Sequence, residues 1–164
     1  MSGRAFVFGD DIDTDVLAPG RYMKVSIEEL AKHCLEAVDP GFASNVRPGD
    51  VVVAGRNFGM GSSREQAAQA LKVLGVAAVV AQSFGGIFYR NALNLGLPVV
   101  VCSQTNAINA GDRLGVDLAG GKVVNETSGR KLPSEPLPQF LLNMLEDGGL
   151  VPHLEKRFAR LKAG

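Results

Sequence analysis

The chain is 164 residues long with no formal net charge, 46% apolar and 21% charged, which fits a single domain over 1–164 able to bury a core. The charge balance gives no electrostatic basis for a nucleic-acid partner, and aromatics at 6% with no tryptophan leave little for base stacking. No apolar run approaches the ~20 residues needed to cross a membrane, and the opening "MSGRAFVFGDDIDTD" lacks a secretory pattern, so the expectation is a cytoplasmic protein with no membrane partner.

In chain order, "RAFVF" (4–8) reads as a short strand and 9–24 as a long polar connection. "SIEELAKHCLEAV" (26–38) has Ile27, Leu30, Ala31, Cys34 and Leu35 at helical spacing, with Ser26 and Glu29 as a capping box. A buried-type strand follows at 50–54, then a glycine-rich loop and a helix ending at Gly75. A second strand is expected at 76–81, a helix over 83–96 with Phe84, Ile87, Phe88 and Leu95 as its core stripe, and a third strand at 97–102. Strands alternating with helices through short connections imply parallel pairing by right-handed crossovers. Beyond residue 102 the pattern alternates and pivots on Gly120–Gly121 as a hairpin, and two helices close the chain. The fold class is therefore α/β, with a mixed sheet of parallel strands, crossover helices and a C-terminal hairpin plus helices.

Cys34 and Cys102 stand far apart, outside any CxxC spacing, and read as reduced core residues. Two such cysteines cannot hold an iron–sulfur cluster or a structural zinc within this chain. His33 and His153 read as helical surface residues without a serine–carboxylate grouping.

The stretch "GRNFGMGSSREQAAQALKVLG" (55–75) carries the chemistry. A phosphate-binding loop needs Lys and then Ser/Thr after its last glycine, whereas Gly61 precedes Ser62, Ser63 and Arg64. Ser62 and Glu65 have capping-box spacing. Arg64 in the first helical turn opposes the macrodipole, an arrangement that makes sense around an anion. Helix amides, two hydroxyls and a guanidinium suit a carboxylate, and the same field favours a serine alkoxide, making Ser62 or Ser63 a candidate base or nucleophile. In "DDIDTD" (10–15), the spacing fails as a calcium loop at Val16 and Tyr22. On spacing alone these aspartates form Asx turns and caps. Arg90, Asn91 and Asn94 are polar positions able to buttress a neighbouring loop.

Together, "GDDIDTDVLAPGRY", "GDVVVAGRNFGMGSSREQA" and "FYRNALNLGLP" resemble the small subunits of 3-isopropylmalate dehydratase, the separate-chain version of the aconitase swivelling domain. That resemblance implies a swivelling β/β/α fold and a hydro-lyase whose [4Fe–4S] cluster sits on a separate large subunit, with no cofactor bound by this chain. It implies Ser62 as the base that removes a carbon-bound proton, and Ser63 and Arg64 as the group holding a substrate carboxylate. Asp15 is implied at the active-site edge. The implied reaction interconverts 2- and 3-isopropylmalate through a dehydrated intermediate, a step of leucine biosynthesis, with a small hydroxy-dicarboxylate as substrate. The loop after D-T-D is associated with substrate choice, here Tyr22, Met23 and Lys24. Relatives acting on isopropylmalate tend to be apolar where Lys24 stands, and homoaconitases carry arginine. Lys24 either meets an extra carboxylate or lies its stem along apolar surface. A homoaconitase or dimethylmalate-type small subunit, or a non-catalytic anion-binding module, are the competing readings.

Overall fold

The apolar runs form four parallel strands: β1 (Ser2–Val7), β2 (Val51–Ala54), β3 (Ala78–Ala81) and β4 (Val99–Val101). The computed structural model describes residues 1–163. Helix α4 (Gln66–Val73) connects β2 to β3, and α5 (Gly86–Asn94) connects β3 to β4. The longer β1-to-β2 excursion holds α1 (Thr14–Leu17), a 3-10 turn (Gly20–Tyr22), α2 (Ile27–Ala31) and α3 (Phe42–Asn45). β5 (Arg113–Asp117) then pairs antiparallel with β1, followed by β6 (Lys122–Asn125) and β7 (Arg130–Pro133). The strand order is β4-β3-β2-β1-β5-β6-β7. Helices α6 (Gln139–Glu146) and α7 (Leu150–Ala163) follow.

The alternation of side chains along a strand divides the core in two. Val52, Ala54, Val79, Ala81 and Val99 face a cluster shared with α2, α4 and α5. Val51, Val53, Ala78, Val80 and Val100 face a second cluster closed by Leu114, Val116, Val123 and Leu132 of β5–β7. The antiparallel half of the sheet thus curls over one face of the parallel half while helices cover the other. Strands buried on both faces tolerate no polar alternation, which explains "VVVA" and "AVVA".

Several expectations need correction. The helix expected over 26–38 is regular only to Ala31, although Ser26 Oγ does accept the Glu29 amide at 3.2 Å. Leu35 adopts a left-handed φ of 62°, and its amide donates to Val16 O at 3.1 Å, so a distant acceptor ends the helix early. Ile87, expected in the core stripe of α5, is 46% exposed, while Phe88 is buried. β7 was not expected: one apolar residue among "RKLP" is a weak strand signal, and Pro133 is tolerated there because β7 is an edge strand. His33 and His153 are half-buried and each meets a carboxylate, Glu36 Oε2 at 2.8 Å and Asp147 Oδ2 at 2.7 Å.

Candidate active site

β1 and β2 are neighbouring parallel strands, and the segments leaving their carboxyl ends are 8–13 and 55–65. Brackets between these segments hold them together. Arg56 N donates to Asp10 Oδ1 at 2.7 Å, Asn57 Nδ2 to Asp11 Oδ1 at 2.9 Å, Gly59 N to Ile12 O at 2.6 Å, and Thr14 N to Met60 O at 2.9 Å. Asp13 caps α1 by accepting the Val16 amide at 2.9 Å. Asp13 and Asp15 accept nearby amides, as the Asx reading expects, but Asp10, Asp11 and Asp15 also meet Arg56, Asn57 and Arg64 across space. Carboxyl ends of parallel strands are where open α/β sheets place ligands.

Ser62 lies at the exposed tip of this pair of loops, with its Oγ 3.1 Å from Thr14 Oγ1. Thr14 is only 3% exposed, and among the described residues Ser62 is the one partner of its hydroxyl. A Cβ on Gly61, whose φ is +110°, would stand 3.2 Å from that hydroxyl oxygen, so glycine is what lets the loop pass this close. Ser63 is also exposed, and Asn91 Nδ2 of α5 reaches its carbonyl at 3.4 Å, the buttress expected of that residue. The capping box is not formed. α4 starts at Gln66, its cap residue is Glu65, and no side chain caps it. Ser62 is directed to Thr14 instead. Among the described residues no acceptor faces the amides of Ser63, Arg64 or Glu65, which leaves donors open at the start of α4.

Arg64 precedes the helix rather than opposing its dipole from within. Its Nη1 donates to Asp15 Oδ1 at 3.0 Å and to Ala18 O at 2.9 Å, and the side chain is 24% exposed against 69% for Asp15. Asp15 Oδ1 also accepts the Gly20 amide at 3.0 Å. The Arg64 hydrogen bond first, and the Gly20 amide second, hold the Asp15 carboxyl below its usual range. A carboxyl whose pKa is lowered in the folded state stabilises that state above its unfolded pKa and loses the contribution as pH falls through its folded pKa. NMR titration is expected to place the Asp15 midpoint below an ordinary aspartate, and Arg64→Ala to raise it. An unchanged midpoint in Arg64→Ala would remove the pair as its cause.

Tyr22 and Met23 are half-buried against the helix-side core, and Lys24 and Val25 are exposed. The geometry thus brings together Ser62, Ser63, Arg64 and Asp15 and ties the 20–25 turn to them through Gly20. Thr14 escaped notice in the sequence, where its only signal was its place between two aspartates. The cysteines do not suit an iron–sulfur cluster. Cys34 and Cys102 lie in separate core clusters on opposite faces of the sheet, and burial pushes both thiols up, away from the ligating thiolate. Among the described residues no group of three or more His, Cys, Asp or Glu is placed to hold a metal, and no helix is long and apolar enough to cross a membrane.

A mixed sheet with a serine–serine–arginine loop beside a D-T-D turn, at the carboxyl ends of adjacent parallel strands, defines an aconitase-type domain, and the chain belongs to that family: the aconitase C-terminal domain model matches residues 12–104. Over its length the chain is similar to 3-isopropylmalate dehydratase small subunit 2 of Archaeoglobus fulgidus, 54% identical over 158 residues and 95% of each chain. It is also 52% identical to the methanogen homoaconitase small subunit of Methanothermobacter thermautotrophicus, covering 95% of this chain and 91% of that one. The crystal structure of a 3-isopropylmalate dehydratase chain from Methanocaldococcus jannaschii superposes with a TM-score of 0.93 at 44% identity, covering 99% and 98% of the two chains.

Proposed function

We propose that this chain is the small subunit of an aconitase-type hydro-lyase acting in leucine biosynthesis, a 3-isopropylmalate dehydratase, in the cytoplasm. The observation that carries the reading is the Ser62 hydroxyl, exposed at the loop tip yet paired with buried Thr14. In this reading Ser62, deprotonated, removes a carbon-bound proton of the hydroxy-dicarboxylate and returns it on rehydration. Thr14 donates a hydrogen bond from its hydroxyl to the Ser62 oxyanion. Ser63 and Arg64, with the open amides before α4, hold a substrate carboxylate, and Asp15 orients Arg64 at the edge of the site. Ser62 and Ser63 are exposed, so the walls that exclude water belong to another chain. The partner is a large subunit, which the small-subunit names of the relatives support, and in this reading that subunit carries the [4Fe–4S] cluster.

Lys24 favours a second reading. It is exposed, and among the described residues it makes no ion pair, so its charge is available to a substrate side chain ending in a carboxylate, as in a homoaconitase. The deciding experiment is co-expression with a cluster-bearing large subunit and anaerobic assay on a panel of malate derivatives. Isopropylmalate turnover that survives Lys24→Leu supports the first reading. Turnover confined to carboxylate-bearing side chains and lost in Lys24→Leu supports the second. No turnover of any member, with carboxylate binding retained by the chain alone, would leave a non-catalytic anion-binding module.

A further inference from the structure

The Tyr22 ring lies flat on the His33 imidazole, with centroids 3.7 Å apart and planes 6° from parallel. His33 Nδ1 is 2.8 Å from Glu36 Oε2, which fixes the imidazole from the other end. Both groups come from the irregular segment after α2, while Tyr22 closes the 3-10 turn Gly20–Tyr22. The start of the turn is held by the Tyr22 amide to Pro19 O at 2.9 Å and the Gly20 amide to Asp15 Oδ1 at 3.0 Å, and its later part is held less firmly. Its internal bonds Met23 N to Gly20 O and Val25 N to Tyr22 O are long, 3.3 and 3.4 Å. An open hollow of about 410 Å³, lined by Asp15, Pro19, Arg21, Glu36 and Pro40 among others, lies beside the turn, so its outer side is unpacked while Tyr22 and Met23 rest on the helix-side core. The first residue of the turn, Gly20, donates to the same Asp15 oxygen that accepts Arg64.

We propose that His33, fixed by Glu36, is a positioning residue: a stacking platform that holds the 20–25 turn and, through Gly20 and Asp15, sets the guanidinium of Arg64. The consequence for substrate rests on the function proposed above; the platform itself does not. The two rings lie nearly face to face, not in the offset or edge-on geometry that ring quadrupoles favour, so the contact acts by flat surface packing, which a flat ring of similar size supplies and a methyl group does not. The carboxylate of Glu36 orients His33 in the native protein, and a phenyl ring at 33 keeps the stack through shape alone.

Two measurements on the full chain and on the reconstituted enzyme decide it. By NMR-detected hydrogen exchange, His33→Ala is expected to speed exchange of the Met23 and Val25 amides about tenfold, and His33→Phe to restore it to within about threefold. In the reconstituted enzyme, His33→Ala is expected to raise KM about five- to tenfold with kcat nearly unchanged, and His33→Phe to restore KM. Unchanged exchange in His33→Ala, or no restoration by His33→Phe, overturns the platform. Faster exchange with unchanged KM overturns the link to Arg64. Should His33→Ala not fold, Tyr22→Leu removes the other ring of the stack and is expected to speed exchange of the Val25 amide likewise, unchanged exchange overturning the platform. A wild-type reconstituted enzyme inactive on every substrate would defeat the functional reading, while the exchange measurement would still decide the platform.

Discussion

Ser62→Ala, reconstituted with a large subunit, is expected to lower kcat by about 10³-fold while KM changes little, the loss anticipated when a positioned base is removed from a proton abstraction. The variant is diagnostic because Ser62 has little structural duty. It is exposed, it does not cap α4, and its side chain bonds only Thr14 among the described residues. Its removal does leave the buried Thr14 hydroxyl without its partner, a cost of about 1–3 kcal/mol, so a moderately lower thermal midpoint with the fold retained should accompany the kinetic loss. Ser63→Ala is the control. Asn91 holds the Ser63 carbonyl rather than its hydroxyl, so the loop stays in place and only a carboxylate contact is lost, which should appear in KM. A Ser62→Ala rate within about tenfold of wild type would place the base elsewhere, because a positioned general base is worth about 10² or more.

Thr14 sharpens that experiment. A buried hydroxyl whose partner is a reacting oxygen stabilises the oxyanion only if it donates, and replacement by the isosteric valine removes the donor while keeping the volume. A loss of kcat in Thr14→Val that disappears in the Ser62→Ala background would show the two hydroxyls acting as one unit, the non-additivity expected of groups in direct contact.

The parts of the molecule legible in the sequence were those whose cause is local or is repeated along a strand. "VVVA" and "AVVA" could be read as strands because burial on both faces imposes an unbroken apolar run. Ser26 could be read as a cap because its acceptor role is satisfied three residues away. The failures share a physical origin. Ser62 and Glu65 have the spacing of a capping box, but Thr14, 48 residues away in sequence, competes for the Ser62 hydroxyl, and Asp15 and Ala18 draw the Arg64 guanidinium away from the helix end. Leu35 leaves its helical pattern for a carbonyl on α1. The candidate site was therefore legible in its residue types and its resemblance, but its wiring was not, since every bond between the two loops crosses more than 40 residues of chain.

Gly59→Ala is expected to destabilise the fold by about 2–5 kcal/mol, the sum of a left-handed backbone penalty and an overpacking term. Gly59 has φ +77°, and a Cβ placed there would stand 2.5 Å from the Cβ of Phe88 and closer still to its ring. Neither side can retreat. Phe88 is buried and packs edge-on against Phe58 with centroids 5.3 Å apart. The loop is pinned by the Gly59 amide to Ile12 O at 2.6 Å and by the Gly85 amide to Phe58 O at 2.8 Å. Gly85 closes the remaining route, because a side chain there would meet Gly59 O at 2.8 Å, so α5 already touches the loop backbone. The expected loss is a large share of a stability that for a domain of this size is about 5–15 kcal/mol. It is measurable as a lower denaturant midpoint with an unchanged slope. Truncating Phe88 separates the two causes. Phe88→Ala alone should cost about 3–5 kcal/mol, but added to Gly59→Ala it removes the overlap with the ring, though not with the Phe88 Cβ, so the double variant should be more stable than the sum of the single changes predicts. Strict additivity would mean that the Phe88 ring is not what requires glycine beneath the Ser62 loop.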